Sequence, residues 1–300
     1  MRSFIREKKI YCGSDYLEVD LYQYTDAERD AHRCGKRNLK VVEALPKQVD
    51  WNDRNARRKF TWSVNANFGE GDYHVTLTYD DMHLPLTIEN AERVLRNYFK
   101  RVSYARKKAG LPPMKYVSIP SCVYKADGVT PARIHHHVIM SGGLDRDVME
   151  DLWRERRKPR HKKGEKIGYS NADRLQPGEQ GLGALCEYLA KQAGGKKRWS
   201  PSRNLEHPEK EIIDSDTPER IQSRRVVSAS RNLEHPWSRA NDHRYSKRQV
   251  ASIAQVPPSA EYWERRYPGY TLIRGDYGFS TRYSDVRGWA VYVKLRRIRN

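Results

Sequence analysis

Arg133-Ile134-His135-His136-His137-Val138-Ile139-Met140 places three histidines inside a short apolar run that stops at Ser141-Gly142-Gly143. A run of that length, closed by turn residues, reads as a buried or half-buried strand. Alternate side chains of a strand share a face, so His135 and His137 point one way and His136 the other. Two neutral imidazoles side by side on a rigid strand make half of a metal site, because imidazole nitrogen ligates Zn, Mn, Fe or Cu. Such pairs also occur as ordinary polar residues satisfied by backbone or carboxylate partners, so the neighbouring segments must decide between the two readings.

Upstream, Tyr73-His74-Val75-Thr76-Leu77-Thr78-Tyr79 is rich in β-branched and aromatic residues and predicts a core strand. Thr87 to Lys108 repeats apolar residues at helical spacing (Ile88, Ala91, Val94, Leu95, Tyr98, Phe99, Val102), with Thr87 as N-cap and Gly110 before Pro112-Pro113 as its stop. The basic residues on its other face read as solvated. Lys115-Tyr116-Val117-Ser118-Ile119 predicts a second strand, which Pro120 should limit because it has no amide hydrogen for the ladder. Downstream, the patterns predict a short helix from Asp145 to Arg156, a strand over Ile167–Asp173 and a helix from Gln180 to Gln192 that ends at Gly194-Gly195. The order strand, helix, strand, strand, helix, strand, helix suits an α+β fold, one antiparallel central sheet with helices packed on it.

The flanks are more polar. Residues 1–61 form a basic N-terminal extension with a strand-like Tyr16–Tyr22 and a helical pattern at Asp53–Trp62. Residues 200–260 look like a basic linker, in which Ser202–Pro208 recurs as Ser230–Pro236 and Ser223–Val227 is echoed by Ser246–Val250. Two copies are too few for a solenoid. Residues 261–300 form an aromatic, strand-rich C-terminal segment, through Tyr270–Ile273 and Trp289–Val293.

Fifty-seven basic residues against 38 acidic ones give a net charge of +19 and point to a polyanionic partner, nucleic acid first. No long apolar segment suits a membrane, and Met1–Lys9 lacks the apolar core of a signal peptide. Cys12, Cys34, Cys122 and Cys186 are too widely spaced for a zinc ribbon and suggest a reducing, cytoplasmic setting. The basic run Arg154, Arg156, Arg157, Lys158, Arg160, Lys162 and Lys163 is a candidate contact for a nucleic-acid backbone.

The helix after the fourth strand carries Tyr188-Leu189-Ala190-Lys191. Positions i and i+3 share a helix face at roughly 5–6 Å between Cβ atoms. A phenol is a poor nucleophile at neutral pH, and a nearby ammonium with a metal-polarised phosphate improves both partners of an attack.

The Val75–Tyr79 strand, the triple histidine and Tyr188 with Lys191, in that order, resemble the HUH endonuclease superfamily, in particular the rolling-circle replication initiators of phages and plasmids. The resemblance spans roughly Trp62 to Trp199, an HUH endonuclease domain at 62–199 with a ferredoxin- or RRM-like sheet. It implies that His135 and His137 bind a divalent metal, Mg²⁺ or Mn²⁺, that Tyr188 is the nucleophile, and that Lys191 assists at the phosphate or the metal site. His136 stands where the family has a hydrophobic residue. The third ligand is open: the adjacent strand Ser118–Cys122 has no acid, leaving His74 and Glu187 as candidates.

The implied partners are single-stranded DNA at a replication origin and a host polymerase and helicase. No Gly-x-x-x-x-Gly-Lys-Ser/Thr loop supplies a helicase of its own, and a homo-oligomer is left open. A plasmid relaxase or single-tyrosine transposase would use the same chemistry. A non-catalytic nucleic-acid-binding protein and a metal hydrolase using activated water are the readings from other classes.

Overall fold

The chain begins with a hairpin of two ten-residue strands, β1 (Ser3–Cys12) and β2 (Tyr16–Thr25), followed by α1 (Asp26–Arg33) and the long α2 (Pro46–Asn67). The computed structural model describes residues 2–33, 46–124, 131–155, 163–179, 181–192, 200–201, 210–212, 237–275 and 278–298. Both copies of the seven-residue repeat lie outside these residues.

Next come β3 (Tyr73–Thr78), α3 (Ile88–Lys108), β4 (Tyr116–Tyr124), β5 (Pro131–Met140), α4 (Arg146–Asp151), β6 (Ser170–Arg174) and α5 (Gly183–Gln192). This is the order of elements expected from the sequence. These strands, with the two-residue β7 (Ser200–Pro201), form an antiparallel sheet in the order β6-β3-β5-β4-β7. Helix α3 starts at Thr87, whose hydroxyl accepts from the Asn90 amide, so the N-cap chemistry legible in the sequence is realised.

Two boundaries differ from expectation. Strand β4 runs through Pro120, which pairs with His136 of β5. On its other side β7 reaches only Val117 and Ser118, so the missing amide hydrogen falls where no described strand needs it. Helix α4 stops at Asp151 rather than Arg156. Trp153 leaves the helical path, is fully buried, and its indole N–H donates to the Thr78 carbonyl at 2.7 Å.

The remaining elements are β8 (Lys210–Ile212), β9 (Trp237–Asn241), α6 (Lys247–Gln255), α7 (Ala260–Arg266), β10 (Tyr270–Leu272), β11 (Phe279–Ser284) and β12 (Gly288–Arg297). They complete a second sheet in the order β10-β12-β2-β1-β9-β8, with β11 on the same edge of β12 as β10. Among the described strands only the short β8–β9 pair is parallel. The N-terminal extension and the C-terminal segment are therefore one structure, since Val291 of β12 pairs with Leu21 of β2. Residues 237–260 are not linker. Ser246 and Gln249 form a reciprocal capping box that starts α6, so the apparent echo at Ser246–Val250 is a helix start.

Helix α2 sits between the sheets and serves both. Phe60, Val64 and Phe68 pack with Val117, Ile119 and Ile139 of the first sheet and with Leu182, Cys186 and Leu189 around α5. Trp62 and Ala66 lie against Ile10, Cys12 and Tyr16 of the second sheet. From the same turns Arg58 reaches Glu18 at 2.6 Å and Asp20 at 2.7 Å. The outer face of the first sheet is covered by α3 and Trp153, and that of the second by α6 and α7.

Candidate functional site

Pairing within the first sheet sets which side chains meet. Thr76 is opposite His137, Thr78 opposite His135 and His74 opposite Ile139. Directly paired residues share a face. His74, Thr76, Thr78, His135 and His137 thus lie on the face covered by α2 and α5, while His136 points to the α3 side.

On the α3 side His136 is fully buried, with Nε2 at 2.8 Å from the Tyr79 hydroxyl, which lies 3.2 Å from the Ala91 carbonyl. The carbonyl can only accept, so the phenol proton goes there and His136 Nε2–H donates to the phenol oxygen. Burial, reinforced by His135 and His137, pushes the His136 pKa down to about 3. His136 is a neutral, fully buried core residue.

On the α2/α5 side His74 Nε2 lies 3.2 Å from His137 Nδ1, the two rings stacked at 5.3 Å between centroids. His135 stands edge-on to His137 at 5.0 Å. His137 Nε2 is buried without a partner. Burial and the neighbouring His74 and His135 bring the His137 pKa to about 4, and burial also lowers His74 and His135, with Arg133 adding to the effect on His135. All three rings are held neutral at physiological pH, the form that donates a lone pair.

Tyr188 stands over this face. Its ring is 6.0 Å from that of His137 and half exposed. Helix α5 is seated by Leu182, Cys186 and Leu189, and its approach is fixed by α2: Asn65 Oδ1 accepts from the Leu182 amide at 2.9 Å. Gly181, at φ +61°, lets the chain pass Asn65, where a Cβ would sit 2.6 Å from Oδ1. Lys191 is exposed and paired with Glu187 at 3.2 Å, and no contact brings it to the histidines. Beside His74, a cleft of about 390 Å³ lined by Asp173, Gln176, Glu179 and Leu185 opens along α5.

The basic run is only partly described. Arg154 bonds Asp151 and the Gly164 carbonyl, and Lys163 reaches the same Asp151 at 2.6 Å, so both tie down the stem of a hairpin. Arg156, Arg157, Lys158, Arg160 and Lys162 lie outside the described residues. Sequence reading passed over Arg133, two positions before His135 on the same strand. Strand alternation puts it on the histidine face, and it is exposed.

No family model, curated protein or solved structure matches the chain. The functional reading therefore rests on the geometry of this sheet face.

Do the residues fit a divalent ion? The 3.2 Å gap between His74 and His137 suits a hydrogen bond, and it also suits two ligands of one ion, since bonds of about 2.1 Å give nitrogen–nitrogen edges of about 3.0–3.4 Å. With His137 Nδ1 turned to His74, its buried Nε2 lies on the far side of the ring without a partner among the described residues and is not a second contact to the same ion. His74 Nε2 and His137 Nδ1 are spaced as two ligands of one ion, and no ring nitrogen of His135 joins them within 4.8 Å of both. Among the described residues the group of three donors whose ligand atoms lie within 4.8 Å of one another is His83, Glu155 and Glu165. No helix among the described residues is long and apolar enough to cross a membrane.

Proposed function

We propose that this protein nicks and rejoins single-stranded DNA through a phosphotyrosine, and that it starts rolling-circle replication at an origin. The observation that carries the reading is the position of Tyr188, held by α5 over His137 on the histidine face. A tyrosine beside the paired nitrogens of His74 and His137 on one partly open sheet face would offer a nucleophile and two ligands for a cation near one phosphate.

His74 and His137 would supply two ligands to a divalent ion, Mg²⁺ or Mn²⁺, with His135 beside them on the same face. Such an ion polarises a non-bridging phosphate oxygen. Tyr188 gives up its phenol proton and its oxygen attacks phosphorus in line; the bond to the 3′-oxygen breaks, and that oxygen is released as a hydroxyl. The 5′-phosphate stays on Tyr188. One phosphodiester is exchanged for another, so the reversal needs no nucleotide hydrolysis, and the free 3′-hydroxyl can be extended by a host polymerase. Arg133, exposed beside His135, is suited to hold a neighbouring phosphate. Lys191, exposed and paired with Glu187, is not needed for this step.

The test uses purified protein, Mn²⁺ and end-labelled single-stranded oligonucleotides tiled across the replicon that encodes the protein. The expected result is an SDS-resistant adduct carrying only the DNA 3′ of the cut and absent in Tyr188→Phe. Cleavage that persists in Tyr188→Phe would replace the reading with a water-activating metal hydrolase. Salt-sensitive binding without cleavage of any oligonucleotide would leave a binding protein.

A further inference from the structure

Tyr169, the residue before β6, carries a ring that the core does not take up. Its carbonyl accepts from the Thr78 amide at 2.9 Å and from the Thr78 hydroxyl at 3.1 Å, and the Asp80 amide donates to the Ile167 carbonyl at 3.0 Å. The pairing of β6 with β3 thus continues past Ser170 in the same register. Gly168 permits the close approach, since a Cβ there would sit 2.4 Å from the Thr78 carbonyl oxygen. Tyr169 is therefore opposite Thr78, and Thr78 is opposite His135. Directly paired residues share a face, so Tyr169, Thr78 and His135 form one row on the histidine face. The row spans two strand spacings, about 10 Å.

Tyr169 is 67% exposed, belongs to none of the hydrophobic clusters, and has no other ring packed on it among the described residues. Its surroundings suit a nucleotide. Arg133, exposed on the same face two positions before His135, supplies a charge for a phosphate. Arg146 reaches the β6 edge, where it bonds Glu150 at 2.8 Å and Asn171 Oδ1 at 2.7 Å, and Glu150 and, at longer range, Tyr169 hold its pKa up. Asp80, nearby, accepts from the His83 amide at 3.0 Å. The acids Asp173 and Glu179 lie toward the other end of the face, in the cleft beside His74, where they repel phosphate. A strand that passes Tyr188 is thus drawn along His135 toward Arg133 and Tyr169.

We propose that Tyr169 is a stacking platform for a base of the single-stranded DNA that crosses the histidine face, with Arg133 holding the neighbouring backbone. An exposed aromatic ring on an open sheet face offers a surface that every base can stack on. The contact therefore adds affinity and fixes the path of the strand without reading its sequence. The inference rests on the single-stranded DNA of the proposed function and does not use the cleavage step.

The test is fluorescence anisotropy of labelled oligo-dT with the full-length protein in EDTA, which keeps metal-assisted cleavage out of the measurement. Tyr169→Ala should weaken binding about fivefold to a hundredfold and leave the slope of log affinity against log salt unchanged, because no phosphate contact is lost. Tyr169→Trp should keep the affinity of the parent. An abasic oligonucleotide of the same length should bind the parent and Tyr169→Ala alike, a result that damage to the fold would not give. Equal affinity of Tyr169→Ala and parent for oligo-dT, an equal loss on the abasic strand, a Tyr169→Trp as weak as Tyr169→Ala, or a parent that does not bind oligo-dT overturns the proposal. The nicking reading is judged apart from it. An SDS-resistant adduct formed by a protein whose Tyr169→Ala variant binds normally removes the platform alone, and the stacking signature without any adduct removes the nicking alone.

Discussion

The Nε2 atom of His74 lies 3.2 Å from Nδ1 of His137, across two antiparallel strands and on the face that Tyr188 overlooks. Two neutral rings in this arrangement can share one hydrogen or one cation, and the second use distinguishes a functional His74 from a structural one. His74→Ala should raise the Mn²⁺ concentration for half-maximal nicking about tenfold or more, with the rate restored at saturating Mn²⁺. A rate that stays depressed at every Mn²⁺ concentration would show that His74 only supports the sheet.

Acid should unfold the first sheet through its histidines. His136 and His137 have pKa values depressed to about 3 and about 4, against about 6.5 in an unfolded chain. The unfolded state therefore binds more protons below pH 6.5, and stability falls as pH drops through that value toward the folded pKa values. The slope is about 1.4 kcal/mol per pH unit for each ring, so urea unfolding at pH 5 should be weaker than at pH 7 by roughly 3–4 kcal/mol. Replacing His136 with Phe should remove about half of this dependence.

Arg58 is wedged between Glu18 and Asp20, both buried on β2. Arg58→Ala strands two carboxylates in the layer between the sheets and should cost about 3–5 kcal/mol in denaturant unfolding. Adding Glu18→Gln and Asp20→Asn should return part of that loss. A single variant as stable as the parent would show that water reaches these groups.

Arg133 is exposed on the histidine face. Arg133→Ala should weaken single-stranded DNA binding alike for all sequences and reduce the slope of log affinity against log salt by about 0.7, the loss of one phosphate contact. An unchanged slope in a filter-binding salt series would place the DNA path elsewhere.

The first sheet was legible because its signals are local. Thr87 as a cap, the stripe from Ala91 to Val102 and the alternation around His135 each act over a few residues, and the structure follows them closely. The second sheet was not legible. In β1, Ile5 and Glu7 turn to the face covered by α6 and α7 and Ile10 and Cys12 to the opposite face beside α2, so burial changes phase within the strand, and one buried position is an acid whose partners, Arg244 and Tyr267, are far along the chain. Pairing between β2 and β12 has no sequence signature either, because register depends on both strands at once. At the site, His135, His137 and Tyr188 could be named from spacing. His74 could only be listed with Glu187 until the strand register placed it beside His137. The Ser246–Gln249 capping box was readable, and its resemblance to a repeat masked it.

The partnership of β2 with β12 has a consequence for synthesis. The four long strands of the first sheet are all made by Arg174, so their pairing can proceed while the rest of the chain is still emerging. The hairpin of β1 and β2, made first, must wait for β9 and β12 to cover its two open edges. Such high contact order makes its docking the slow step and leaves two unpaired strand edges exposed meanwhile. The histidine face is thus assembled early, whereas aggregation risk during expression is concentrated in the sheet that the chain completes last.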